Sequence, residues 1–246
     1  MIEIQIDKSY KEKYTKKIGK LLDLYELFPF HLHPLWESII KHKLTKEQVV
    51  KAEVQHYLRT KAGQPLRREA MEYSKANNPI FYNAIDKTYI EECTAQDGTP
   101  THLDLIIKLI ESTGLQETDF LNTQNTPGNI AAISIYKNIA ERGAGCHIIG
   151  AGAVEYFYSQ ICKSIFDSYV NFYEFAESAA ITYALHSTLD LEHAERAFDA
   201  LDEAERIYGW NAVETSVRDA FVATSLHYDG MLQAATNQNS YWNGKF

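Results

Sequence analysis

The segment Cys146–Tyr169, C-H-I-I-G-A-G-A-V-E-Y-F-Y-S-Q-I-C-K-S-I-F-D-S-Y, limits the fold more than any other part of the chain. Its apolar residues cover nearly the whole circumference of a helix rather than one stripe, so other helices must wrap it on most sides. Gly150, Ala151, Gly152 and Ala153 leave room for a neighbour to come close. The same segment carries Glu155, and a carboxylate among apolar neighbours is costly unless it is paired, protonated or bound to metal.

The remainder of the chain supplies helices to do the wrapping. The spacing predicts helices from Ser9 to about Glu26, after His33-Pro34, and from a Thr45 cap to about Ala62, where Gly63-Gln64-Pro65 ends the pattern. Further helices are expected over Leu66–Lys75, Ile80 to about Ala95, Thr101 to about Thr113 and Thr126 to about Arg142. Two more follow the central segment, from about Ser178 to Tyr208 and over Asn211–Ala235. Gln96-Asp97-Gly98-Thr99-Pro100 reads as a loop. With only 12 Gly and 6 Pro and no alternating strand pattern, the expectation is one all-α bundle of about eight helices over 1–246, with 1–7 and 236–246 as loose ends.

Charge and cysteines narrow the function classes. Lys+Arg is 24 against 33 Asp+Glu, giving −9, and no basic stripe is present for phosphate binding, so nucleic acid is not expected as a partner. No run of about 20 apolar residues is present to span a membrane. The N-terminus lacks the long apolar run of a signal peptide. Cys93, Cys146 and Cys162 are sparse and scattered, which fits reduced thiols in a cytoplasmic protein. A small-molecule substrate is the expected partner, and a homodimer is left open.

Chemistry concentrates in Y-A-L-H-S-T-L-D-L-E-H-A-E-R-A, Tyr183–Ala197. At about 100° per residue, His186, Asp190 and His193 fall within roughly 60° of one another on one helical face. Two imidazoles and a carboxylate on one stripe suit a borderline divalent metal such as iron. The plainer reading is that Asp190 orients a surface histidine. Upstream, Glu92 ends one helix and His102 starts the next across the Gly98–Pro100 loop, a turn that can bring acid and imidazole together; Glu91 could hold the role of Glu92 instead. Tyr156, Tyr158, Ser159, Thr182 and Tyr183 could line a pocket, although aromatics at this spacing are usually core. Arg59, Lys61, Arg67 and Arg68 could meet a substrate carboxylate but read more simply as a solvated face.

Together E-E-C-T-A-Q-D-G-T-P-T-H-L-D-L, the inward Glu155 and L-H-S-T-L-D-L-E-H-A-E-R-A resemble the heme-oxygenase-like diiron oxidase and oxygenase family; H-P-L-W-E-S-I-I and L-I-E-S-T-G-L are similar to it as well. The resemblance implies a heme-oxygenase-like bundle and two Fe(II) per chain with O2 as co-substrate. It implies one iron on Glu92, His102 and His193, the other on His186 and Asp190, with Glu155 bridging and catalytic. Glu69 is a weak candidate for an extra ligand, because Arg67 and Arg68 beside it favour a surface ion pair. The implied activity is oxidation of a small amino-acid-like or carboxylic-acid metabolite in a specialised biosynthetic pathway, by C–C cleavage, N-oxygenation or nitrile formation. The alternatives are a metal-free enzyme of the thiaminase or cofactorless oxidase type and a non-enzymatic helical binding protein.

Overall fold

The computed structural model describes residues 4–96 and 98–244. The chain runs through α1 (Tyr10–Lys13), α2 (Lys16–Asp23), α3 (Pro34–Ile40), α4 (Lys46–Asn77), α5 (Pro79–Cys93) and α6 (His102–Glu111). It continues through α7 (Glu117–Phe120), α8 (Pro127–Glu141), α9 (Ala144–Asn171), α10 (Glu177–Phe198), α11 (Leu201–Tyr208) and α12 (Trp210–Thr236). The all-α expectation holds: among the described residues the nearest thing to a strand is an isolated bridge between Gln96 and Thr99. None of the described helices is long and apolar enough to cross a membrane.

The apolar central segment is α9. It packs along α10 and against α12, α11 and α8, and buries residues around its whole girth. Gly152 sets the closeness of α9 and α10: a Cβ there would lie 2.4 Å from the Ala197 Cβ. Glu155 is one turn further along α9, and Asp190 and His193 precede Ala197 on α10, so this contact brings the three acid and imidazole side chains face to face.

Several helix ends follow from their caps. The Thr45 hydroxyl accepts from the Gln48 amide while the Gln48 side chain accepts from Thr45 N, and Thr101 and Asp104 repeat the arrangement at α6. The His33 ring caps α3 by accepting from Leu35 N at 3.1 Å.

The segmentation differs from expectation in four places. First, Gly63-Gln64-Pro65 does not end a helix; α4 runs unbroken through it. Pro65 removes the amide that would bond to the Lys61 carbonyl, but both residues are exposed. The turns on either side are fixed by burial, with Val49, Tyr57 and Leu58 before the proline and Ala70 and Ser74 after it. Packing therefore outweighs the local propensity cost of about 3 kcal/mol. Second, the helix expected over 178–208 bends at Asp199 and Ala200. Ala200 is fully buried there, and α11 turns back against α9 and α12. Third, the Ser9–Glu26 helix is split at extended Tyr14, after which Thr15 caps α2. These divisions and the short α7 raise the count above about eight. Fourth, the expected loose ends are docked where described: Asp7 N donates to Gln160 Oε1 at 2.7 Å, and Trp242 N donates to Asp229 Oδ1 at 2.8 Å while its ring stacks edge-on against His33. Residues 1–3, 245–246 and Asp97 of the expected loop lie outside the described residues.

Candidate metal centre

All six expected ligands are buried, none more than 9% exposed, and they converge from four helices. The α5–α6 turn acts as anticipated: His102 Nδ1 lies 2.9 Å from Glu92 Oε2. From α10, His186 Nε2 approaches the other Glu92 oxygen at 3.2 Å, and the His102 and His186 rings are 4.1 Å apart. His193 Nδ1 lies 3.5 Å from Asp190 Oδ1, 3.9 Å from Glu155 Oε2 and 4.0 Å from Glu92 Oε1.

Two overlapping donor groups result. Ligand atoms of Glu92, His102 and His186 lie within 4.8 Å of one another, as do those of Glu92, Asp190 and His193. This partition differs from the implied one: His102 groups with His186 rather than His193, and the carboxylate common to both groups is Glu92 rather than Glu155. Arg67 contacts both acids: its guanidinium holds Glu155 Oε1 at 2.7 Å and lies 3.2 Å from Glu92 Oε2.

Outer contacts fix two of the imidazoles. His193 Nε2 meets Glu91 Oε2 at 3.1 Å, and Arg196 also holds that carboxylate. Glu91 is therefore the outer partner and Glu92 the inner acid. Because a carboxylate only accepts, the Nε2 proton points at Glu91, and Nδ1, buried with no hydrogen-bond partner, faces the inner acids. His186 Nδ1 donates to the Thr182 carbonyl at 2.6 Å, directing Nε2 inward. Glu69 is exposed and away from the centre.

The protonation states reflect crowding. Burial and the neighbouring His186 pull His102 down to about 3, leaving it neutral. Burial also opposes charge on His186, but Asp190 and Glu92 overcome it and raise that group to about 10. Burial would lift Glu92, yet His102, Arg67 and the hydrogen bonds hold it well below the usual carboxylate range. Asp190 is pushed well above its ordinary value by burial and by the charges of Glu155 and Glu92.

A cavity of about 110 Å³ opens over Glu92, His102, Glu155, His186 and Asp190. Of the five expected pocket residues, only Tyr158 lines it. Tyr156 packs against Tyr10, Tyr14 and Phe157, the Tyr183 hydroxyl donates to Glu53 at 2.6 Å, the Ser159 hydroxyl bonds the Tyr156 carbonyl, and Thr182 supports His186. The solvated-face reading fits Lys61 and Arg68, which are exposed, but not Arg59 and Arg67, which line the cavity. The unbroken α4 carries both of them. Also missed was Glu53, 1% exposed, which binds Tyr169, Tyr183 and His56; its place in V-V-K-A-E-V-Q-H-Y-L was a legible signal.

The donor set fits iron. Three carboxylates and three imidazoles are the hard and borderline ligands Fe(II) prefers, and the orphaned Nδ1 of His193 points into them.

Comparison with known proteins agrees. No match emerges among curated proteins. Among solved structures, a domain of unknown function with a heme oxygenase-like fold from Shewanella denitrificans OS217 superposes with a TM-score of 0.71 at 16% identity, covering 96% of this chain and 97% of that one. A CADD-like protein of unknown function from Nostoc punctiforme PCC 73102 gives 0.69 at 12% identity, with 92% and 100% covered. A TenA homolog from Pseudomonas syringae pv. tomato str. DC3000 gives 0.66 at 10%, with 94% and 99% covered. The fold is therefore heme-oxygenase-like. The family model described as iron-containing redox enzyme matches residues 81–218, more than half of the chain, and takes in α6, α9 and α10 whole and α5 but for its first two residues, the four helices that carry the six candidate ligands; on that match, the chain belongs to the iron-containing redox enzyme family.

Proposed function

We propose that the protein is a non-heme diiron oxidase or oxygenase that uses O2 to oxidise a small amino-acid-like or carboxylic-acid metabolite in a specialised biosynthetic pathway. The observation that carries this reading is the pair of donor groups sharing Glu92, with the buried, unpartnered Nδ1 of His193 in one of them. Glu92, His102 and His186 would hold one iron and Glu92, Asp190 and His193 the other. Bound there, two ferrous ions would supply electrons for reducing O2 and open positions for it.

The chain's own residues do the rest. His102 is neutral and ready to bind metal, and Glu92 is ionised. Glu155, with Oε1 held by Arg67 and Oε2 3.9 Å from His193 Nδ1, would be a further carboxylate available to the metals. His186 must give up its Nε2 proton to become a ligand. Ile133, Ile139, Val154 and Met231 line the cavity and exclude water from the oxidising centre.

The test is O2 uptake by protein loaded anaerobically with Fe(II), with and without candidate amino acids and short carboxylic acids. Iron-dependent uptake accelerated by one of them is expected, and it should vanish in His186→Ala and Glu155→Ala while helical circular dichroism remains. Full uptake in both variants would overturn the assignment.

A further inference from the structure

The cavity contains two guanidiniums, and the iron reading uses only one. Arg67 is committed to Glu92 and Glu155. Arg59 sits two turns earlier on α4, about 12 Å along the axis, toward the same cavity. It lies 4.8 Å from the centre of the Tyr136 ring and hydrogen-bonds that neutral side chain; the other charged or polar groups that bear on it are Arg67 and Tyr228, and no carboxylate of the described residues pairs with it. A cation set into a protein wall without an acid is costly unless something supplies the negative charge.

Unused polar atoms line the same cavity. Trp36 is 1% exposed, lines the cavity beside Tyr228, and its Nε1 has no hydrogen-bond partner. Thr60 Oγ1 and His147 Nε2 also line the cavity as buried atoms without partners. His147 is neutral, lowered to about 4 by burial and by the charges of Arg67 and Arg59, so it adds no competing positive charge. The Tyr136 hydroxyl is already engaged by Thr224 at 2.7 Å. One anion with two oxygens would satisfy a guanidinium, an indole N–H and a hydroxyl together. Ile133, Ile139, Ala220 and Met231 also line the cavity, whose volume of about 110 Å³ is on the scale of the roughly 150 Å³ cavity that takes up benzene.

We propose that Arg59, with Trp36 and Thr60, is the seat of the substrate carboxylate, and that the substrate is a small monocarboxylate with a short apolar body, anchored at Arg59 and extending toward Glu92 and His186. The inference rests on the iron reading only for which end of the substrate reacts; the anchor stands on the cavity alone.

The test is calorimetric titration of iron-loaded and metal-free protein with hexanoate, benzoate and L-leucine, each against its carboxamide. At least one acid binds ten-fold or more tightly than its amide. Arg59→Gln removes that preference while iron content and helical circular dichroism match wild type, and Arg59→Lys retains part of it. Equal affinity for acids and amides, no binding of any acid, or an undiminished preference in Arg59→Gln overturns the proposal. Iron content on the same samples separates the two readings: acid preference without iron uptake leaves the anchor standing and removes the diiron function.

Discussion

His193 turns its Nε2 to Glu91 at 3.1 Å, and that bond decides which nitrogen faces the buried acids. Arg196 holds Glu91 from the other side, so the imidazole, the carboxylate and the guanidinium form one chain from core to surface. Outer partners of this kind typically contribute 10- to 100-fold in metal affinity. Glu91→Ala is expected to weaken Fe(II) binding by roughly that factor without touching any inner ligand. An anaerobic competition titration measures it, and unchanged affinity would show that His193 is not a ligand.

Metal uptake is expected to release protons. In the metal-free protein His186 is raised to about 10, so it is protonated at pH 7 and must lose that proton to bind metal. Affinity should therefore rise with pH between 6 and 8, by about ten-fold per unit for each proton released. Titrations at three pH values in two buffers of different ionisation enthalpy would count those protons. A flat profile would remove His186 from the ligand set.

Arg67 neutralises two buried carboxylates when no metal is present. Arg67→Gln should destabilise the metal-free protein by about 2 kcal/mol, a fall of roughly 4–8 °C in Tm for a chain of this size. Fe(II) should restore most of the loss, because it supplies the missing positive charge. A calorimetric scan with and without iron decides; an equal deficit in both states would make Arg67 a packing residue only.

Gly152 is the close-contact point that aligns Glu155 with Asp190 and His193. Gly152→Val forces α9 and α10 apart, at a cost of about 1–3 kcal/mol, and should weaken iron binding more than it lowers helicity. Iron content at matched circular dichroism is the readout. Wild-type iron affinity in this variant would contradict the role given to the contact.

Much of this was legible in the chain because the signals were local. The girth of α9, the Thr45 and Thr101 caps, and the His186–Asp190–His193 stripe are each set by residues within a few turns of one another. The Glu92–His102 pairing needed only a short loop. What escaped depended on partners far away in sequence. Gly63-Gln64-Pro65 is a local stop that buried flanks override, and the continuous α4 places both Arg59 and Arg67 on the cavity. The bend at Ala200 carries no glycine or proline; it exists because α11 must reach α12. The division of ligands between two groups was not readable either, since it depends on how side chains from helices far apart in sequence meet.

The most direct measurement is a crystal structure of the Fe(II)-loaded protein with anomalous data collected at the iron edge, alongside metal analysis of the same preparation. The account predicts two irons per chain, with one anomalous peak among Glu92, His102 and His186 and the other among Glu92, Asp190 and His193. A single iron, iron bound elsewhere, or Arg67 still seated between Glu92 and Glu155 with no iron beside them would contradict it.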